Sequence, residues 1–136
     1  MQWLYLYFPN LQLDSLLHQQ AYNQACVLVD KNEVVQTNSE ARQLGIKIGT
    51  GLGQAALLSA QLKVIAYEPK QEQRLLAQLA QRLYQTSATL YLDPPQGLLL
   101  QTSDMLRLYE GLAPYWQQLQ QPLMERGLHY HYASAH

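Results

Sequence analysis

Five tyrosines, two histidines, one aspartate, one arginine and one cysteine hold most of the chemistry this chain could perform. The stretch Tyr91-Leu92-Asp93-Pro94-Pro95-Gln96-Gly97-Leu98-Leu99-Leu100-Gln101 contains one acid, Asp93, just before a Pro-Pro-Gln-Gly turn. Pro fixes φ and Gly accepts positive φ, so the two apolar runs fold back as an antiparallel hairpin. His129 and His131 lie two apart in an alternating stretch. On a strand they would share a face and could ligate a metal, but with no third ligand an edge or interface role is preferred. Tyr5, Tyr7, Tyr91, Tyr130 and Tyr132 could stack bases as RNA-binding sheets do; the basic companions of such a surface are absent, which favours core packing with satisfied hydroxyls. Ser134 and His136 have nothing to complete a triad. Cys26, the only cysteine, sits in the apolar run Ala25 to Val29 with no basic neighbour in sequence, which suits a buried core thiol rather than a nucleophile.

The elements that position these residues follow from periodicity. Trp3 to Phe8 is apolar or aromatic throughout and stops at Pro9-Asn10, which predicts a central strand buried on both faces. Leu13, Leu16 and Leu17 mark a helix over 11–20, with Asp14 in its first turn. Residues 25–30 and 33–37 flank Lys31-Asn32 as a small hairpin. A short helix follows, capped by Asn38 or its neighbours and ended by Gly45. The run Ile46-Lys47-Ile48-Gly49-Thr50-Gly51-Leu52-Gly53 has the glycines of a phosphate loop without its Gly-Lys-Ser/Thr, so it reads as a loop before a helix over 54–58. A short strand over 63–66 precedes a helix from Gln71, where Leu75, Leu76, Leu79, Ala80 and Leu83 share one face. After the hairpin come a turn over 102–104, a helical piece over 105–109, a helix over 112–126 ended by Gly127, and a strand over 128–133.

With 11–66 set aside, the order is strand, helix, strand, strand, helix, strand. The expected fold is α+β: a ferredoxin-like βαββαβ unit over 1–10 and 67–136, with a small α/β subdomain inserted over 11–66. Both crossovers place the first strand beside the second strand of the hairpin, with the helices on one face.

The chain has 136 residues, of which 48% are hydrophobic and only 14% charged, and its net charge is −1. That is enough apolar material for one sizeable core. Glutamine supplies much of the polar surface, and a near-neutral chain predicts weak DNA binding by this segment alone. A lone cysteine, no long apolar run and no basic leader fit a cytoplasmic protein without a membrane span.

The segment Asn38-Ser39-Glu40-Ala41-Arg42-Gln43-Leu44-Gly45-Ile46 resembles the Ala-Asn-Tyr-Pro-Ala-Arg-Lys-Phe-Gly-Val fingers motif of Y-family translesion DNA polymerases. Leu4 to Pro9 lies where that family has its Asp-Met-Asp strand, and Tyr91 to Gln101 where it has Ser-Leu-Asp-Glu-Ala-Tyr-Leu-Asp. Leu128 to His136 resembles the start of the strand before the family's palm lysine. Tyr-Phe-Pro near the start, Ala-Arg-x-Leu-Gly-Ile in the middle and Pro-Pro-x-Gly-Leu-Leu-Leu in the hairpin together resemble the ImuB type of Y-family-like protein. The resemblance implies a palm over 1–10 and 67–136, a fingers-like insertion over 11–66, and a thumb and little finger lying beyond this chain.

It also implies that the metal-binding acids are replaced. Tyr7 stands at the first Asp and Pro9 at the second acid, while Gln96 and Gly97 stand at the Asp-Glu pair of the hairpin. Asp93 could supply one ligand if the prolines are an insertion, but two-metal phosphoryl transfer needs several acids. Leu11 and Gln12 fall near the sugar-discriminating position. Arg42 matches a triphosphate-contacting residue, with Ser39 and Glu40 in place of its Tyr and Pro companions; a structural role competes with nucleotide contact. The function so implied is a non-catalytic component of a bacterial SOS mutagenesis complex, a scaffold in translesion synthesis and DNA damage repair. No cofactor is expected. Its partners would be a sliding clamp, a RecA-like accessory protein and an error-prone replicative-type polymerase, held largely through regions beyond residue 136, and its location the cytoplasm, with the nucleoid when in a repair complex. The alternatives are an active translesion polymerase with displaced ligands, using Mg²⁺ at Asp93, and a ferredoxin-like module that binds a small ligand or RNA.

Overall fold

The computed structural model describes residues 3–20, 23–84, 89–101 and 112–135. The turn expected over 102–104 and the helical piece over 105–109 lie outside them. The chain divides into two compact units, Met1–Leu11 with Pro69–His136, and Gln12–Glu68.

In the first unit, β1 (Trp3–Tyr7), β5 (Thr89–Asp93), β6 (Gly97–Gln101) and β7 (His131–Ala135) form a four-stranded sheet in the order β5-β6-β1-β7. Every neighbouring pair is antiparallel. With α4 (Pro69–Leu83) and α5 (Leu112–Glu125) as the two crossovers, this is the split βαβ arrangement. Its core is leucine-rich: Leu4, Leu6, Leu98 and Leu100 from the sheet meet Leu76, Leu79 and Leu83 of α4 and Leu119 and Leu123 of α5, with Phe8 and Leu11. Fully burying each such side chain stabilises by about 1.5–3 kcal/mol.

Strand β1 is central but not buried on both faces. Leu4 and Leu6 point into the core, whereas Trp3 and Tyr5 are half-buried and Tyr7 is 39% exposed. The helices cover one face only, so the alternation that a run of mixed aromatics conceals is set by what packs against it.

Strand β7 begins at His131, three residues later than its pattern suggests. The cause is the end of α5. Gly127 has φ +65°, its N–H donates to the Met124 carbonyl (3.1 Å) and the Leu128 N–H donates to the Leu123 carbonyl (3.0 Å), a Schellman motif. Leu128 is consumed in this cap, packing in the same core as Leu123.

The second unit has a three-stranded sheet, β3-β2-β4, from β2 (Cys26–Asp30), β3 (Glu33–Thr37) and β4 (Lys63–Ala66). Strands β2 and β3 pair antiparallel with a bulge between Leu28 and Val29, and β2 and β4 pair parallel. Lys31 and Asn32 both take positive φ, as a type I′ hairpin requires. One cluster joins Leu13 and Leu17 of α1 (Leu11–Gln19) to Cys26 and Leu28; another joins Val27 and Val34 to Ala41 of α2 (Ser39–Gln43) and Ala55 of α3 (Leu52–Leu58). The Gln12 side-chain carbonyl accepts from the Glu68 N–H (3.2 Å), tying the unit's two ends.

Helix α3 starts at Leu52, two residues before the expected start, because Gly51 serves as N-cap and its carbonyl accepts from Ala55. No helix among the described residues is long and apolar enough to cross a membrane.

Candidate functional site

Sheet register assembles one row of side chains across the first unit. Asp93 pairs with Gly97, Gly97 with Tyr7, and Tyr7 with His131, so β5, β6, β1 and β7 each contribute one position. The row continues into the turn. The Phe8 N–H donates to the Gln96 carbonyl (2.9 Å), and the Gln96 side-chain amide donates to the Pro9 carbonyl (3.3 Å). Tyr7, Pro9, Gln96 and Gly97 therefore meet at one end of the sheet. None of the four is a carboxylate, and the Pro9 carbonyl oxygen already accepts a hydrogen bond.

Asp93 is the carboxylate of this row, and its partner is Tyr5. The Tyr5 hydroxyl donates to Asp93 Oδ2 (2.8 Å). Burial, then the Asp93 hydrogen bond and the Asp93 and Tyr7 charges, push the Tyr5 phenol above its ordinary value, so it keeps its proton at neutral pH. This pair is not evident from residue types alone. The alternation that places Tyr5 on the same face as Tyr7 is the signal that could have revealed it.

The remaining tyrosines do not behave as a group. Tyr130 is half-buried beside Trp116 and Phe8, with its hydroxyl accepting from the Gln120 amide (3.0 Å), which is the packed and satisfied state expected. Tyr91 and Tyr132 are 53% and 64% exposed, contrary to core packing. Tyr91 packs near Trp3 and Tyr132 near Trp116, each on a sheet position with too little cover to be buried.

His129 precedes β7 and so does not share a strand face with His131; the two rings meet edge-on with centroids 5.5 Å apart. His131 also stacks on Tyr7 at 6.5 Å. Among the described residues no three of His, Cys, Asp and Glu are grouped to hold a metal ion. Ser134 lies on the edge strand β7, and His136 falls outside the described residues.

Arg42 belongs to the second unit. Its Nη1 donates to the Thr37 carbonyl (2.6 Å) and the Thr37 hydroxyl (3.2 Å), which ties α2 back to the end of β3. Asn38 is buried beside it. Its Oδ1 accepts from Cys26 N–H (3.0 Å) and Ala41 N–H (2.9 Å), and its amide donates to the Gln24 carbonyl (3.0 Å), so one side chain caps α2 and anchors β2. Its second role was invisible in the sequence. Cys26 is fully buried, and burial followed by the Glu40 charge raises its thiol pKa against a smaller opposing effect of Lys63. A thiol so placed is a poor nucleophile. In the glycine-containing loop, the Gly49 N–H donates to the Val34 carbonyl (2.7 Å), so this amide is spent on β3 rather than offered to a phosphate.

The fold of this βαββαβ sheet and its 57-residue insertion after the first strand matches solved structures of Y-family DNA polymerases across the whole chain. The Dbh ternary complex superposes with a TM-score of 0.78 at 16% identity, covering 100% of this chain and 42% of that one. A post-insertion binary complex of Dbh DNA polymerase gives 0.79 at 16% identity, covering 99% and 42%. DinB from Sulfolobus solfataricus gives 0.73 at 16% identity, again covering 99% and 42%. The chain thus spans about two fifths of the length of the structures it matches. Neither a protein-family model nor a curated protein sequence matches it. The α+β fold is that of a Y-family polymerase domain.

Proposed function

We propose that this chain is the palm and fingers-like part of a non-catalytic, ImuB-type relative of the Y-family polymerases, acting as a scaffold in a bacterial SOS mutagenesis and translesion complex. One observation carries the reading: Tyr7, Pro9, Gln96 and Gly97 converge at one end of the sheet. These are the positions that the resemblance assigns to metal-binding acids. Two-metal phosphoryl transfer needs several carboxylates to hold the two ions, and these four groups supply none. In this reading Met1–Leu11 with Pro69–His136 is the palm, Gln12–Glu68 is the fingers-like unit, and Arg42 holds α2 rather than a triphosphate. The partners would be a sliding clamp, a RecA-like accessory protein and an error-prone replicative-type polymerase, bound in the whole protein mainly through regions beyond residue 136, in the cytoplasm and at the nucleoid during repair.

The competing reading is an active polymerase with a displaced ligand, favoured by Asp93 standing in register with Gly97. Calorimetric titration with Mg²⁺ separates the two. The scaffold reading expects no saturable site in the wild-type chain; a saturable site lost in Asp93→Ala would favour the polymerase.

A further inference from the structure

Gly97 is buried although it has no side chain and lies on the sheet face that the helices leave open. What covers it is Tyr5. In register Tyr5 faces Leu99, two pairs along the strand and so on the same face as Gly97, and its ring leans diagonally to reach Asp93. A Cβ built on Gly97 would fall on the Tyr5 hydroxyl, 2.9 Å from Tyr5 Cζ and 3.0 Å from the Asp93 carbonyl oxygen. Displacing the phenol moves it off the position from which it donates to Asp93.

We propose that Tyr5 and Gly97 are a mutually dependent pair: the Tyr5 phenol, held by Asp93, fills the volume of a side chain at position 97, so the hairpin can carry an acid there only if Tyr5 releases Asp93. Tyr5 is therefore a positioning residue that keeps the Asp93 carboxylate engaged. The meaning of this pairing for divalent cations rests on the reading of position 97 given under Proposed function; the steric pairing itself does not.

A double-mutant cycle of Tyr5→Phe and Gly97→Ala, read by urea unfolding of the whole chain, tests the pairing independently of any polymerase assay. Tyr5→Phe should raise the unfolding equilibrium constant by about fivefold in the wild-type background, the size of one solvent-exposed hydrogen bond, and by less than about twofold once Gly97→Ala has already displaced the phenol. Equal losses from Tyr5→Phe in both backgrounds would overturn the proposal.

Discussion

Single residues decide more of this site than the sequence reveals. Tyr5 was one of five tyrosines singled out among ten; its importance comes from a diagonal contact that the registers of β1 and of β5 against β6 create. Because its pKa is raised in the folded state above the 10.0 of a free phenol, the stabilisation it brings is complete below about pH 10. It is lost as pH rises through the folded value. Tyr5→Phe should accordingly flatten the loss of stability above about pH 10, measured as urea midpoints. Asn38 shows the opposite balance. Its N-cap role follows from Asn before a Ser-Glu-Ala-Arg helix, but its bond to Cys26 spans a strand pairing that no local pattern specifies. Asn38→Ala should cost about 2 kcal/mol, above an ordinary cap loss of ~1, because the buried Cys26 N–H is left unpaired as well. Chemical denaturation measures it.

At the scale of elements, the sequence was most legible where glycine and leucine agree. Gly45 and Gly127 stand at positive φ two residues past the last residues of α2 and α5, with Ile46 and Leu128 completing the same six-residue cap. Gly127→Ala should destabilise by about 1 kcal/mol, since the left-handed region costs an L-residue that much; thermal unfolding should register it. The face of α4 is equally plain, and Leu79→Ala should cost about 2–5 kcal/mol. Less legible were the ends that depend on neighbours. Leu128 has the alternating context of a strand yet serves the helix cap, and β1 carries aromatics on a face that stays open. The parallel pairing of β2 with β4 joins Cys26 to Lys63 across the whole inserted unit. A four-residue strand with mostly exposed side chains carries little pattern to announce such a partner.

For the whole molecule, strand and helix order alone pointed to the βαββαβ sheet, and the resemblance placed four uncharged positions where acids would be expected. The structure brings those positions together and adds what order could not supply: a carboxylate at the same end, bonded to a tyrosine. In the proposed reading, a scaffold would need the sheet but not metal ions. The most direct measurement is template-directed primer extension by the whole protein with Mg²⁺ or Mn²⁺, run beside Asp93→Ala. No extension above background by either protein is the outcome predicted; extension by the wild type that Asp93→Ala abolishes would contradict the account.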